Sequence, residues 1–212
     1  MTWHVRVIGR GRRRGRAGGQ SLAEFALLIP LFMLVVIGLI EFALAFSASL
    51  NVNYASRAGG LTAAQAGNAA AADCQILAEV ERAITAPANK ARVARVEIQR
   101  TNASGSTVYA RSVYQRTGNT TCTLVDGTTL TVAFRATSAG YPPSQRCSVL
   151  PPSACPTLTP PRTTVDTIAV EITYTYQWQT PLRTLMGFFG GAGTGSGLTF
   201  VQRNAFRMEP VL

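Results

Sequence analysis

The sequence predicts an α+β protein, with a long N-terminal transmembrane helix followed by a small antiparallel sheet domain and a covering helix. Three observations predict it. Residues 25–40 form a run of sixteen without a charge. Ile76, Leu77, Val80 and Ile84 recur at helical spacing before Pro87. From Val93 onward, short β-branched and aromatic runs alternate with polar residues between turn signals.

Composition narrows the class. Apolar residues make up 47% of the 212 and charged residues 14%, which argues against a disordered chain. The net charge of +10 is unevenly spread. Arg6, Arg10, Arg12, Arg13, Arg14 and Arg16 precede the apolar run, and no acidic residue comes before Glu24. A basic flank beside an apolar segment orients a membrane helix with its N-terminus in the cytoplasm. The arginines therefore read as a topology signal and not as a nucleic-acid site.

The apolar stretch from Phe25 to Phe46 is 22 residues, about 33 Å at roughly 1.5 Å per residue. That matches a hydrocarbon core of about 30 Å. Pro30 removes one backbone hydrogen bond and is expected to kink the helix. Glu41 is expected at the outer interface, in reach of water or headgroups. The helix is expected from about Ser21 to Gly59, with a loose alanine-rich join and a second helix near Asp73 to Thr85.

Strands are expected over 93–100, 107–115, 121–125 and 128–134, the last two flanking Asp126-Gly127, a strong hairpin signal. The clearest alternation runs from Ile168 to Trp178, and a last strand from Leu198 to Arg207. Residues 138–162 hold seven of the eleven prolines and read as a loop. Pro181 to Phe189 reads as a short helix that ends in glycines.

Cys74, Cys122, Cys147 and Cys155 all follow the apolar run, and none forms a C-x-x-C pair. An even number beyond a membrane reads as two disulfides, with three connectivities open. The pairing expected is Cys147–Cys155, closing the proline-rich loop, which leaves Cys74–Cys122 by elimination. No catalytic motif stands out. The one histidine is His4, the one lysine is Lys90, and the glycine run 187–197 lacks a phosphate-loop register. No enzyme activity, cofactor or metal is expected. The Tyr/Trp residues at 174–178 read as core or interface, and Trp178, Phe188 and Phe189 as residues that meet either the membrane or a partner.

Residues 18–26 read GGQSLAEFA. A glycine ends the basic stretch, and a glutamate and an aromatic follow five and six residues later. This resembles a prepilin leader of the Flp kind, and the resemblance implies a cut after Gly19 by a prepilin peptidase. Gln20 would become the first residue, with Glu24 fifth and Phe25 sixth. Gly38-Leu39-Ile40-Glu41-Phe42 resembles the G-x-x-E-F step of TadE-like minor pseudopilins of the tight-adherence (Tad) pilus, and Ala55 to Gly59 their A-x-R-x-G element. Gly60-Leu61 departs from the usual Ala-Arg. Arg203 to Pro210 (RNAFRMEP) resembles their closing R-x-E-P strand.

The resemblance implies a pilin-like architecture of three parts: a leader at 1–19, a transmembrane helix and its extension at 20–60, and an extracytoplasmic domain at 61–212. It also implies a structural role in pilus assembly, adhesion or secretion from the bacterial cytoplasmic membrane. Expected partners are the lipid bilayer, prepilin peptidase, other pilin-like subunits and Tad secretion components, with no nucleic acid. Two other readings stay open. One is an uncleaved signal-anchored envelope protein with an extracytoplasmic binding domain. The other is a secreted protein cut at Ala43-Leu44-Ala45, although its apolar run is long for a signal peptide.

Overall fold

The computed structural model describes residues 20–149, 155–181 and 197–209. The leader with Gly19, the helix expected at 181–189 beyond Pro181, the glycine run short of Gly197, and Pro210 lie outside the described residues. The chain divides after Ile40 into two compact units.

Helix α1 runs Gln20–Ala66 and continues through Pro30. In the first unit its large apolar side chains are exposed from Leu22 to Val35 and again at Leu39 and Ile40, with Val36 and Ile37 partly exposed. Helix α1 is long and apolar enough to cross a membrane. No other described helix has that character.

The second unit begins at Glu41 with the remainder of α1. Helix α2 spans Ala72–Ala83. Strands β1 (Val93–Thr101), β2 (Val108–Gln115), β5 (Arg135–Ala139), β6 (Thr167–Tyr176) and β7 (Leu198–Arg207) form one antiparallel sheet in the order β5-β2-β1-β6-β7. β3 (Thr120–Thr123) and β4 (Thr129–Val132) make a separate hairpin. Its turn puts Gly127 at φ +80°, a conformation that favours glycine.

Alternation decides which face of the sheet is covered. Val96 and Ile98 of β1 lie opposite Ile172 and Val170 of β6, and all four are buried. They join Ala45, Ala48, Val52 and Ala55 of α1 and Ile76, Leu77 and Val80 of α2 in one core. The α1 contributions are small and recur every three or four residues, so the helix axis lies close to the sheet. The two helices thus provide the cover that a one-sided sheet requires.

Three local outcomes differ from expectation. Helix α1 does not stop at Gly59 but runs to Ala66, where Gly67 takes a left-handed φ of 57° and ends it. The glycine pair survives inside the helix because tertiary packing occupies the space that side chains would need. β5 was not expected, since every residue of RATSA is exposed and no apolar alternation announces it. It is an edge strand held by backbone pairing with β2. Glu41, finally, is not at a water interface but buried, with its partners inside the second unit.

Both expected cysteine pairs are brought to disulfide distance. Cα–Cα is 6.4 Å for Cys74 and Cys122, which link α2 to β3, and 5.7 Å for Cys147 and Cys155. The first pair spans 48 residues and the second 8. Loop-closure entropy makes the long one worth roughly 4 kcal/mol and the short one roughly 2.5 kcal/mol. Non-reducing peptide mapping should recover these two pairs. Cys74→Ala/Cys122→Ala should then lower the denaturation midpoint more than Cys147→Ala/Cys155→Ala. Free thiols in the purified, oxidised protein would contradict both statements.

Candidate functional site

Three stretches of α1 carry the sequence motifs. The first begins at Gln20. Glu24 and Phe25 are exposed on the helix. Glu24 comes four residues after Gln20, about one turn along the same side. The described residues are helical from Gln20 onward, the residue that the expected cut would expose.

The second stretch centres on Glu41, which is 1% exposed. Its Oε1 accepts hydrogen bonds from the Tyr176 hydroxyl at 2.5 Å and the Gln179 amide at 3.0 Å, and its Oε2 accepts one from the Thr180 amide at 2.7 Å. One carboxylate therefore fastens α1 to the end of β6 and to the chain beyond it. Four residues on, Ala45 enters the core. The sequence marks Glu41 as a charge inside an apolar run. No local signal could name partners some 135 residues away.

Farther along α1, the A-x-R-x-G element resolves into contacts. Ala55, Ser56 and Gly59 are buried, while Arg57 is exposed. Ser56 Oγ donates to the Val170 carbonyl at 2.6 Å and accepts from Asn204 Nδ2 at 3.1 Å. A Cβ on Gly59 would come within 2.7 Å of Val80 Cγ2, and one on Gly60 within 2.5 Å of the Phe206 ring. The Gly60 departure from the family pattern thus coincides with an aromatic on β7. Just past β7, Glu209 N donates to the Ala64 carbonyl at 3.1 Å, so this stretch returns to α1.

The opposite side of the same helix carries Phe42, Phe46, Leu50, Tyr54 and Leu61, all more than half exposed. At 100° per residue they stay within roughly a third of the helix circumference. They form an apolar stripe on the second unit, beyond the last residue of the uncharged run.

Two buried polar networks brace the sheet unit. Arg146, fully buried, pairs with Asp73 of α2, which also accepts the Tyr114 hydroxyl. Asp166 Oδ2 accepts from Arg162 Nη1 at 2.6 Å, the Tyr141 hydroxyl at 2.7 Å and the Cys147 amide at 3.0 Å, which ties the short cysteine loop to the sheet. Burial, then the adjacent carboxylates, push the Tyr114, Tyr141 and Tyr176 hydroxyls well above the ordinary tyrosine range. The folded protein keeps these protons at a pH where the unfolded chain loses them, above about 10. Stability should therefore be full below about pH 10 and fall as pH rises further. Denaturant midpoints from about pH 8 to 11 test this, and a flat profile to about pH 11 contradicts it.

Among the described residues, no three of His, Cys, Asp and Glu are grouped to hold a metal. A family model described as TadE-like protein matches residues 19–61. The match covers Gly19 and the greater part of α1, and stops before the sheet. No curated protein and no solved structure matches the chain.

Proposed function

With residues 19–61 TadE-like, and that family a structural one associated with the Tad pilus, we propose that this chain is a minor pseudopilin of a Tad-type pilus or related secretion apparatus. It sits in the bacterial cytoplasmic membrane by one helix, with the N-terminus in the cytoplasm and the sheet unit outside. A prepilin peptidase removes residues 1–19, leaving Gln20 as the new N-terminus. The subunit then packs laterally against other pilin-like helices.

The observation that carries this reading is the exposed apolar stripe that Leu50, Tyr54 and Leu61 continue past Phe42 and Phe46, the last aromatics of the membrane stretch. A membrane span alone needs no apolar stripe on the following domain. A helix that continues its lateral contacts outside the membrane does. Contiguous exposed apolar surface of this kind marks an interaction site. Gly38 adds to it: a Cβ there would meet nothing within 4 Å, so the chain itself makes no use of the missing side chain. Small residues in membrane helices let a neighbouring helix approach.

The experiment has two arms. Coexpression with a Tad prepilin peptidase should shorten the protein by residues 1–19 in intact mass spectrometry, and Gly19→Leu should block the cut. Photo-crosslinkers at Phe46, Leu50 and Tyr54 should capture pilin-like subunits. Glu24→Gln should leave insertion and cleavage largely intact but lower the crosslinking yield, since it removes the carboxylate that would pair with an N-terminal amine of a neighbour. Wild-type crosslinking by Glu24→Gln would remove the assembly role from that residue. A mature protein that begins at Met1 or Phe46 would remove the leader assignment.

A further inference from the structure

A cleft of about 390 Å³ opens in the second unit beside the Glu41 clamp, lined by Pro87, Asn89, Arg92, Tyr176, Trp178 and Gln179 among others. Its place follows from the hydrogen bonds already described. Glu41 is the residue directly after the uncharged run, and it holds Tyr176 and the Gln179 and Thr180 amides at 2.5–3.0 Å. The wall of the cleft is therefore pinned to Glu41, within the apolar stretch and directly after its uncharged run.

The chemistry of the wall is that of a membrane interface. Trp178 packs edge-on against Tyr176, with ring centroids 6.4 Å apart, and remains partly exposed. Arg92 is partly exposed, and Lys90, two residues before it, is exposed. Among the described residues neither has an acidic partner. Glu41, behind the wall, accepts from Tyr176, Gln179 and Thr180 and makes no ion pair with either among the described residues. The cleft thus combines an amphipathic indole with a guanidinium that makes no ion pair among the described residues. Tryptophan favours the headgroup level of a bilayer, and a guanidinium offers phosphate a pair of parallel donors.

We propose that this cleft receives the phosphate of an anionic phospholipid headgroup, with Arg92 as its main contact, Lys90 as supporting charge and Trp178 beside it. The proposal rests on the membrane reading of α1. It makes the sheet unit a reader of lipid charge, so that contact with an anionic leaflet fixes the unit by a second point besides its helix.

The test uses the full chain in mild detergent with Trp3→Phe, which leaves Trp178 as the sole tryptophan. Phosphatidylglycerol or phosphatidylcholine is titrated in, and Trp178 emission is followed. A saturable change with phosphatidylglycerol and none with phosphatidylcholine is expected. Arg92→Gln should weaken the apparent affinity about fivefold, and Lys90→Gln by up to the same factor, as each removes one basic charge near an anionic surface. Arg207→Gln, at the opposite end of the sheet, should change nothing. Equal responses to the two lipids, or an unchanged response in Arg92→Gln, overturn the proposal. A matching response to inorganic phosphate at the same concentrations also overturns it, by assigning the cleft to a soluble anion. Carbonate extraction of the same protein separates this from the premise. A chain that carbonate releases loses the membrane reading and the proposal together. One that is retained but does not distinguish the lipids loses the proposal alone.

Discussion

Glu41→Ala should lower the unfolding free energy of the sheet unit by roughly 3–5 kcal/mol. Each hydrogen bond to a charged acceptor contributes about 1.5–3 kcal/mol, and Glu41 accepts at least three of them. The three share one carboxylate and are not additive, which keeps the total below their sum. Alanine leaves the Tyr176 hydroxyl and two backbone amides without their acceptor in a site where Glu41 is 1% exposed. Glu41→Gln should cost less, about 1–3 kcal/mol. It keeps one carbonyl acceptor but turns an amide group toward existing donors. Denaturant unfolding in detergent, followed by Trp178 emission in the Trp3→Phe background, measures both. A loss under about 0.5 kcal/mol for Glu41→Ala, the usual scale for a surface substitution, would mean the glutamate is an interfacial charge and not a clamp.

Gly59→Ala should destabilise, against the ordinary rule. At an exposed helical position alanine is better than glycine by about 1 kcal/mol. Here the added methyl would meet Val80 Cγ2 at 2.7 Å, Val170 Cγ1 at 3.4 Å and Ile76 Cγ2 at 3.7 Å. These atoms belong to α2 and β6, and Val80, Val170 and Ile76 are fully buried, so no neighbour can swing into solvent. Overpacking of this kind costs typically 1–3 kcal/mol. The net expectation is a loss of up to about 2 kcal/mol for Gly59→Ala and more for Gly59→Leu. Gly60→Ala meets closely only the edge of the Phe206 ring, which is partly exposed and can move, with the Asn204 carbonyl at an ordinary 3.7 Å, so it should cost less than Gly59→Ala. Thermal midpoints of the three variants should follow that order. A stabilised Gly59→Ala would show that α1 does not lie against α2 and β6 as closely as described.

The separation between sequence and tertiary structure runs along contact distance. The uncharged run, the α2 stripe, the Ile168 to Tyr176 alternation and the Leu198–Arg207 strand all repeat at the period of their own element, so neighbours in sequence suffice to read them. The leader resemblance at Gly19, Gln20, Glu24 and Phe25 is likewise local, as is the TadE-like match over 19–61. β5 escaped because an exposed edge strand pairs through its backbone, and backbone pairing writes no alternation into side chains. The end of α1 was read too early because helix propensity penalises Gly59-Gly60. What keeps them helical is α2 and the sheet lying against them, a fact stored in Val80, Val170 and Phe206. Glu41 shows the same division most clearly. The sequence by itself determined that a carboxylate stands at the end of an apolar helix. Only the tertiary structure decided that it is buried, because the three groups that make burial affordable lie at Tyr176, Gln179 and Thr180, and hydrogen bonds across that separation exist only once the chain has folded.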